Sequence, residues 1–584
     1  MLDCFPFHWC WSEWNDESGK RTRGSGSVQE IMLQPCENLA SLSADNIAGE
    51  DESRPDQDRV PVAGIGASAG GLEAVRQLLR FLPANTGMAF VFVQHLDPAH
   101  ESKLTEILAK TAAMPVLEIQ HGMPVEANTL YVIPPNTSLK IAAGILSMEP
   151  RANERDPRFP IDRFLCSLAE DLGSQAIAVI LSGTGSDGAE GFKAVKAACG
   201  ITFVQAENTA KYTGMPSSAI ATGAADFILP PQEIAAELVR IGQHPSALRT
   251  SVKLPETPQE NSALQHIFAL LQNTAKVDFN DYKRSTVNRR LARRMMVHKL
   301  DTLSDYAQYL DNHPHEVNEL YRDLLIHVTS FFREPASYEA LTEHLAARLR
   351  ERRHDEPFRI WIAGCASGEE LYSVAICLDE VLASAGQRTQ LQLVGTDISE
   401  KSLQRARRAV YAEAITSEVS PERLSRYFVK ADGGYQIIKS IREACIFARH
   451  DLSSDPPFSR LDLVVCRNVL IYMGPALQQR ILPMFNYGLK ASGILMLGSA
   501  ESVPSSSDLF IAIDKEYKIY RKNPIAPRFS VDLVPDRTAA PTPAAAESGT
   551  DLLALVNRAT QNKRAVGGVV IKRDLQIVAF QGQT

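Results

Sequence analysis

The chain has 584 residues, a length that predicts about two to four domains. Its formal net charge of −8 and its pI near 6.0 argue against generic nucleic-acid binding, so any basic patch must be local. The nine cysteines form no CxxC pair and no Cys/His cluster, which argues against a metal site and favours reduced thiols in the cytoplasm. No apolar run approaches the roughly 18 residues of a membrane span, and no signal peptide is recognisable, so we expect no membrane insertion.

Alternating predicted strands and helices divide the chain into segments. We predict a disordered leader at 1–59, an α/β domain at 60–243, a linker at 244–261, a helical subdomain at 262–340, a second α/β domain at 341–522, a linker at 523–549, and one helix with about two strands at 550–584. Strand and helix patterns that alternate are typical of a parallel sheet with helices on both faces. The predicted fold class is therefore α/β, with two doubly wound domains and an all-helical cap subdomain before the second.

The stretch "VAGIGASAGGLEAV" joins the first predicted strand to a helix and permits two interpretations. Gly64-x-Gly66-x-x-Ala69 fits a dinucleotide phosphate loop loosely, although the acidic candidate Asp97 lies further along than such a site usually has it. The same junction can instead expose Ser68 as a nucleophile. A nucleotide-dependent oxidoreductase and a hydrolase are therefore both open at this point.

Two further residues favour the hydrolase. His95 ends the strand "MAFVFVQH", and Asp187 follows the strand "AIAVILSG". A hydroxyl, an imidazole and a carboxylate at neighbouring strand ends are what nucleophilic hydrolysis needs. Because the carboxyl ends of parallel strands lie at one edge of a sheet, we expect Ser68, His95 and Asp187 to converge.

The motifs "GIGASAGGLEA", "VQHLDP", "LSGTGSDGAEG" and "GMPSSAI" resemble, in this order, those of the catalytic domain of CheB-type protein-glutamate methylesterases. The resemblance implies Ser68 as nucleophile, His95 as general base and Asp187 as the carboxylate that orients it. It also implies hydrolysis of glutamate γ-methyl esters on chemoreceptors, with deamidation of glutamine as a further activity. Ala69 and Thr184 depart from residues frequent in the family, and the 59-residue leader has no room for a receiver domain.

A second small-residue turn, "GCASGEELYS", follows the strand "FRIWIAG", and the next strand ends at Asp397 in "GTDIS". Small residues allow a ligand to approach the backbone, and a carboxylate that ends the second strand can bind both hydroxyls of a ribose. This pattern is typical of a methyltransferase, although an ordinary turn with capping acids would look similar.

The segments "IHVTSFFREP", "GCASGEELYS", "GTDIS", "ARHDL" and "VVCRNVLIYM" resemble motifs of CheR-type glutamate O-methyltransferases over residues 262–522. The resemblance implies the cofactor S-adenosylmethionine and a set of contacting residues. These are Thr329, Arg333, Glu370, Asp397, Asp451, Leu452, Cys466, Arg467 and Asn468, with Tyr472 near the transferred methyl group. His327, Asp451 and Leu371 depart from residues frequent in the family.

The segment 281–300 predicts a basic helix. Arg289 and Arg293, and likewise Arg290 and Arg294, are spaced four residues apart, so their charges share one broad face. A solvated face is one interpretation of this pattern. With the family resemblance, we predict instead that these four arginines dock on the acidic cytoplasmic helices of a chemoreceptor, where opposite charge speeds encounter.

The end of the chain, "VGGVVIKRDLQIVAFQG", resembles the opening of a PAS domain that is cut short. Taken together, these features predict a bifunctional chemotaxis enzyme whose partners are methyl-accepting chemoreceptors. A histidine kinase or response regulator is a further candidate partner. The alternative is a receptor-associated signalling scaffold in which one or both sites are inactive.

Overall fold

The computed structural model describes ten stretches of the chain. These are 59–94, 103–150, 159–243, 257–325, 329–350, 356–386, 389–504, 506–524, 568–571 and 577–581. The predicted leader up to residue 58, His95 and His327 lie outside the described residues. Among the helices of the described stretches, none combines the length and the apolar character that crossing a bilayer requires.

The first α/β domain is built around a parallel seven-stranded sheet. Its strands are β1 (Val62–Ala67), β2 (Ala89–Gln94), β3 (Val116–Glu118), β4 (Met123–Pro124), β5 (Leu130–Val132), β6 (Thr137–Ala142), β7 (Ile145–Pro150), β8 (Ala176–Ile180), β9 (Ile201–Gln205) and β10 (Phe227–Leu229). Its helices are α1 (Gly71–Leu79), α2 (Leu104–Ala109), α3 (Pro160–Leu172), α4 (Ala189–Ala197), α5 (Gly214–Ala221) and α6 (Pro231–Gln243). The strand order is β10-β9-β8-β1-β2-β5-β3, and β4, β7 and β6 form a separate antiparallel sheet.

Strand β1 lies at the centre of this sheet, and helices cover it on both faces. All six of its residues are buried. Ala63 and Ile65 pack with side chains of α1 and α6, whereas Val62 belongs to the cluster that includes α3. Successive side chains of a strand point to opposite faces, so a continuous apolar run requires a helix layer on each side.

A helical subdomain follows the first domain. Its helices are α7 (Pro258–Ala275), α8 (Arg284–His298), α9 (Leu303–Asn312) and α10 (Pro314–Leu324). Helix α7 begins with a capping box, in which Thr257 accepts from the backbone N–H of Glu260 and the Glu260 carboxylate accepts from that of Thr257. Such a cap satisfies N–H groups that have no partner in the first turn, and it stabilises a helix by about 1 kcal/mol. The helices enclose an apolar core of their own.

The second α/β domain contains a mixed seven-stranded sheet. Its strands are β11 (Phe358–Ala363), β12 (Leu391–Asp397), β13 (Val410–Tyr411), β14 (Phe428–Ala431), β15 (Gly434–Ile437), β16 (Cys445–Arg449), β17 (Leu461–Cys466), β18 (Leu489–Leu497), β19 (Phe510–Asp514) and β20 (Ile519–Lys522). Its helices are α11 (Pro335–Arg350), α12 (Glu369–Ser384), α13 (Glu400–Arg408), α14 (Pro421–Tyr427), α15 (Lys439–Glu443) and α16 (Pro475–Gly488). The order is β16-β12-β11-β17-β18-β20-β19, and β13, β15 and β14 form a small sheet beside it.

The centre of this sheet is the point where the strand order reverses. Strand β11 pairs in parallel with β12 on one side and with β17 on the other. In open parallel sheets, ligands bind beyond the carboxyl ends of the strands at such a reversal. The segments that leave β11, β12 and β17 are therefore the expected walls of a binding site.

The predicted fold class is confirmed: two α/β domains with mostly parallel sheets flank a helical subdomain. Near the end of the chain, strands β21 (Gly568–Ile571) and β22 (Ile577–Gln581) form an antiparallel pair.

The basic helix α8 packs against the first α/β domain. Arg290 donates to the backbone carbonyls of Lys196, at 2.9 Å, and of Ala197. These carbonyls lie in the last turn of α4, where helical C=O groups have no intrahelical partner and attract cations. On the same helix, Met296 packs against the apolar core cluster of the first domain.

The structure therefore contradicts the prediction that all four arginines of α8 form a surface for docking to a receptor. Arg290, Arg293 and Arg294 are all buried, and only Arg289 of the four is exposed. Arg293 forms ion pairs with Asp226 and Asp323, and Arg294 donates to Glu316 at 2.7 Å. The i, i+4 spacing identified a charged face. It could not show that carboxylates of the same chain pair with Arg293 and Arg294, or that backbone carbonyls accept hydrogen bonds from Arg290.

Candidate active sites

Ser68 lies directly after β1, at the carboxyl edge of the first sheet. Its backbone N–H donates to the carbonyl of Ser182 at 3.1 Å, which joins the turn after β1 to the loop after β8. Its own carbonyl accepts from Gly71 at 2.9 Å, so the chain turns tightly into α1. The side chain is half-buried. The structure thus presents Ser68 at the start of a helix, as the predicted nucleophile requires.

Gly183 lies next to Ser68, on the loop after β8. A Cβ atom at this glycine would be 2.1 Å from the Met215 sulfur and 3.1 Å from the Ser68 Cβ. No larger residue fits without moving one of these neighbours. The close approach brings the two loops within van der Waals contact beside the serine.

Asp187 lies further along the same loop and binds the N-terminus of α3. Its two carboxylate oxygens accept the backbone N–H groups of Ile161, at 3.2 Å, and Asp162, at 3.0 Å. A carboxylate is stabilised at the positive end of a helix dipole. The motif around Asp187 therefore fixes the carboxylate in position.

Asp162 is a buried neighbour of this carboxylate that the sequence motifs did not indicate. Burial, and then the charge of Asp187, raise the pKa of Asp162 well above its usual value. One oxygen accepts from the backbone N–H of Gly191 at 2.8 Å. Burial and the charge of Asp187 thus both disfavour a second negative charge at Asp162.

The third predicted catalytic residue, His95, lies outside the described residues. Its chain neighbour Gln94 ends β2 and pairs in register with Ala67 of β1. Strands β1 and β2 therefore end at the same level of the sheet as Ser68. The distances within the predicted triad remain a prediction.

The second domain contains a cleft at the reversal point of its sheet. The cleft has a volume of about 960 Å³, which includes space open to solvent. The predicted contacts in its wall are Thr329, Arg333, Glu370, Asp397, Asp451, Leu452, Arg467, Asn468 and Tyr472. The structure therefore brings together nine of the ten residues singled out for the methyl-donor site.

The tenth residue, Cys466, does not line the cleft. It is the last residue of β17, is fully buried, and packs in an apolar cluster. Burial raises the pKa of its thiol well above the usual value. Cys466 therefore supports the cleft from behind as part of the core.

Asp397 ends β12 and holds two loops at the cleft. One carboxylate oxygen accepts from the backbone N–H of Ala366 at 2.9 Å, and the other from that of Ser399 at 2.8 Å. A carboxylate has about four lone-pair directions, so both oxygens retain capacity to accept hydroxyl donors.

A buried ion pair connects the wall on the β11 side with that on the β17 side. Arg467 donates to Glu370 at 3.2 Å, to Glu334 at 3.0 Å and to the carbonyl of Arg333 at 3.0 Å. Burial raises the pKa of Glu370, and the charge of Arg467 opposes that rise. The planar guanidinium thus fixes three segments around the cleft.

Gly364 begins the turn after β11. Its φ of +77° is a left-handed conformation, and an added Cβ atom would lie 2.4 Å from Val469. Ala366 and Asn468, at φ +44° and +57°, are non-glycine residues of the cleft wall that also adopt positive φ. Such conformations are costly and concentrate at ligand sites.

Glu501 is a buried residue at this site that the motifs did not reveal. One oxygen accepts from the backbone N–H groups of Val469, at 2.8 Å, and Leu470, at 2.7 Å. The other accepts from those of Asn468, at 3.0 Å, and Gly498, at 2.7 Å. Glu501 therefore shapes the loop after β17 and positions Asn468.

Polar atoms without partners also lie in the cleft wall. His450 is 3% exposed; its Nε2 donates to the carbonyl of Pro456 at 2.9 Å, while its Nδ1 has no partner among the described residues. The Nε of Arg467 likewise has none there. Unpaired buried polar atoms are uncommon and are often completed by a ligand or water.

These observations fit S-adenosylmethionine. Asp397 would accept both ribose hydroxyls, the close turn at Gly364 admits a ligand against the backbone, and the carboxylates of the wall would face the positive charges of the donor. Arg333, which lines the cleft, would bind the donor's carboxylate. Tyr472 lines the same cleft.

Comparison with known families agrees with these geometries. Residues 63–238 match the CheB methylesterase model, 262–325 the CheR methyltransferase all-alpha domain, and 327–519 the CheR methyltransferase SAM binding domain. The resemblances to the CheB and CheR families inferred from the motifs are thus confirmed.

Curated relatives match different parts of the chain. An uncharacterised 104.1 kDa protein of Rhodobacter capsulatus is 36% identical over 72% of this chain and 46% of its own length, so the chain spans about half of that relative. A chemotaxis protein methyltransferase of Listeria monocytogenes is 30% identical over 40% of this chain and 88% of its own. A protein-glutamate methylesterase/protein-glutamine glutaminase of Anaeromyxobacter dehalogenans is 33% identical over 38% and 66%. The chain therefore belongs to the CheR methyltransferase family and is a fusion of a CheB methylesterase domain with a CheR methyltransferase.

Proposed function

We propose that this chain removes and adds methyl groups on glutamate side chains of chemoreceptors. The first domain hydrolyses glutamate γ-methyl esters, and the second methylates glutamate with S-adenosylmethionine. The observation that supports this most directly is one cleft that contains nine predicted donor contacts, in a chain that also presents Ser68 beside the Asp187 loop. Relatives with chemotaxis names support chemoreceptors as the substrate.

In the esterase reaction, the Ser68 hydroxyl attacks the ester carbonyl while His95 accepts its proton. Methanol leaves with that proton, and water then hydrolyses the acyl-enzyme. Asp187 orients the imidazole. The same steps on glutamine would release ammonia, which agrees with the glutaminase name of one relative.

Methanol release from a methyl-esterified receptor fragment tests the esterase. We expect release by the wild type and a loss of about 1,000-fold or more in Ser68→Ala. Ser186→Ala, on the same loop as Asp187, is the matched control and should retain activity. A Ser68→Ala variant that keeps its activity would remove the proposed nucleophile.

In the methyltransferase reaction, the cofactor supplies an electrophilic methyl group on a sulfonium. A glutamate carboxylate is already nucleophilic at neutral pH, so this chain's residues need mainly to position it and exclude water. The fixed wall formed by Asp397, Arg467 and Glu501 supports that role.

Titration calorimetry with S-adenosylmethionine tests the donor site independently of turnover. Asp397→Asn should weaken binding by about 10- to 100-fold, because it loses the charge and one acceptor for the ribose. Asp432→Asn, at an exposed turn, is the control. If the wild type does not bind the cofactor, the second domain acts as a scaffold and the methyltransferase proposal is wrong.

Three finer assignments accompany this proposal. The strand pair β21–β22 would be the opening of a PAS-like unit. A histidine kinase or response regulator would be a further partner. A cytoplasmic location is supported by the free thiols of all six cysteines among the described residues.

A further inference from the structure

A second large cleft lies between the esterase domain and the methyltransferase. Its volume is about 1,440 Å³, which includes space open to solvent. The esterase contributes α4 and the turn after α5, and the methyltransferase contributes α8, α10 and α13. We call it the interdomain cleft. Six cationic side chains line it: Lys193, Lys196, Arg290, Arg322, Lys401 and Arg405.

Half of these cations have carboxylate partners within the cleft wall. Lys193 pairs with Glu190, Arg322 pairs with Glu319, and Lys196 lies 3.6 Å from Asp323. These are the three carboxylates of the lining. The other three cations, Arg290, Lys401 and Arg405, form no ion pair with any residue that the structure describes. The interdomain cleft therefore carries uncompensated positive charge.

Arg290 is the buried member of this group. It is 2% exposed, and although its terminal nitrogens donate to two backbone carbonyls, its Nε has no partner among the described residues. A buried guanidinium N–H without an acceptor is costly, and an anionic ligand would satisfy it.

Lys401 and Arg405 lie one turn apart on α13, and both are exposed. Like charges at this spacing destabilise a helix. Across the cleft, a Cβ atom at Gly223 of the esterase turn would lie 3.1 Å from the Lys401 amine, which places that amine against the other domain. Neutralisation by a bound anion would relieve the repulsion.

The interdomain cleft adjoins the cleft of the methyl donor. Leu325 and Thr329 line both. A glutamate side chain that reaches the donor thus has, beside it, a surface with unpaired positive charge. The unpaired cations lie on α8 and α13 of the methyltransferase, and the esterase forms the facing wall with Gly223 and the paired cations Lys193 and Lys196. Several cations along one cleft suit a segment of chain with several carboxylates.

We propose that the interdomain cleft binds acidic residues that flank the glutamate to be methylated, so that the esterase domain forms part of the methyltransferase's substrate site. This inference rests on the proposed function. It assigns recognition of an acidic peptide mainly to the unpaired Lys401 and Arg405. Lys193 of the esterase, which shares its charge with Glu190, faces them on the other wall.

The test uses the full chain in a Ser68→Ala background, which prevents hydrolysis of the product. Two helical peptides each carry a single glutamate as methyl acceptor. The flanking residues are aspartate in the acidic peptide and glutamine in the other. The Kd of each peptide is measured by fluorescence anisotropy at about 50 mM and about 500 mM salt. High salt screens interactions between charges, so the difference between the two Kd values reports the electrostatic part of binding. KM and kcat are measured with labelled S-adenosylmethionine.

For Lys401→Glu with Arg405→Glu, we expect Kd and KM for the acidic peptide to rise about tenfold at low salt. The kcat value and the affinity for S-adenosylmethionine should not change. The glutamine-flanked peptide should bind wild type and variant equally. Arg408→Glu, which is exposed on the same helix but does not line the cleft, is the matched control.

The variant Lys193→Gln tests the esterase wall, and we expect it to bind the acidic peptide about threefold more weakly. The control is Lys110→Gln, which is exposed elsewhere on the esterase. Equal affinities of wild type and the Lys401/Arg405 variant, or no binding by the wild type, would overturn the inference. Absence of methyl transfer to either peptide would count against the proposed function instead, and the anisotropy comparison would still decide the role of the cleft.

Discussion

Arg293 of the helical subdomain forms an ion pair with Asp226 of the esterase domain, and both side chains are buried, at 1% and 0% exposed. Arg293 also pairs with Asp323 of its own subdomain and donates to the carbonyl of Gly200 at 2.9 Å. The Arg293 guanidinium thus binds the esterase domain and the helical subdomain at the same time. The pKa of Asp323 is held at about 2: burial alone would raise it, and the charges of Arg293, Lys196 and Arg294 together outweigh that effect.

Replacement of this arginine should destabilise the chain strongly. Arg293→Met would leave Asp226 and Asp323 buried with only Lys196 and Arg294 nearby. We expect a loss of about 3–5 kcal/mol in the free energy of unfolding, because an unpaired buried charge is costly. Urea denaturation measures it, with Arg289→Met, exposed on the same helix, as the control. Equal stability of the two variants would contradict the role assigned to the pair.

Glu418 should make stability depend on pH. Burial raises its pKa to about 7, and the charges of Glu190 and Glu369 act in the same direction, against the N–H of Phe331 that donates to it at 2.8 Å. A carboxyl whose folded pKa is raised contributes its stability below the unfolded pKa of about 4.5 and loses that contribution as pH rises through 7.

Because of this group, the free energy of unfolding should fall by about 2 kcal/mol between about pH 4.5 and pH 7. This figure is smaller than the full pKa shift implies, because the carboxyl is partly exposed and solvent screens its interactions. Glu418→Gln, which keeps an acceptor for Phe331, should flatten that part of the profile. Unfolding free energies at a series of pH values measure the effect. An unchanged slope in the variant would assign the pH dependence to other groups.

Gly364→Ala should disturb the donor cleft in two ways. The alanine would be strained at φ +77°, and its Cβ would collide with Val469. In Gly386→Ala the alanine would be strained in the same way, at φ +63°, but no atom of the described residues lies within 4 Å of its Cβ. We expect about 1 kcal/mol of destabilisation for Gly386→Ala and about 2–3 kcal/mol for Gly364→Ala, with weaker cofactor binding only in the latter.

A second substitution separates strain from collision at this site. The double variant Gly364→Ala/Val469→Ala should regain part of the lost stability, because alanine at position 469 lacks the methyl group with which the new Cβ would collide. Thermal unfolding and calorimetry with the cofactor give the two measurements. If the double variant is no better than the single one, backbone strain alone accounts for the loss.

Glu501→Gln should weaken cofactor binding without contact to the cofactor. An amide nitrogen cannot accept the N–H groups that one carboxylate oxygen now binds, so the loop after β17 would relax. We expect about a tenfold loss of affinity for S-adenosylmethionine and about 2 kcal/mol of stability. Glu516→Gln, at an exposed position, should change neither. Retained affinity would show that the loop holds its shape without this carboxylate.

Much of the donor cleft could be predicted from local motifs. Asp397 and Glu370 follow strands β12 and β11, and the chain after a strand in a parallel sheet must leave at one edge. Their side chains therefore meet wherever the strands are neighbours. Glu501 was not predicted, because its partners are backbone N–H groups. Nearly every residue type has such a group, so the sequence contains no pattern that indicates these contacts.

The sequence by itself determined the two α/β domains, the helical subdomain, and the placement of Ser68 and Asp397 at strand ends, because these follow from periodicity and from turns next in the chain. Only the tertiary structure decided the environment of Arg290, Arg293 and Arg294. Their spacing on one helix is the same whether the face meets water, a receptor or the esterase domain. Carboxylates from distant parts of the chain pair with Arg293 and Arg294, and backbone carbonyls of the esterase accept hydrogen bonds from Arg290. Such long-range contacts exist only once both domains have folded and packed together.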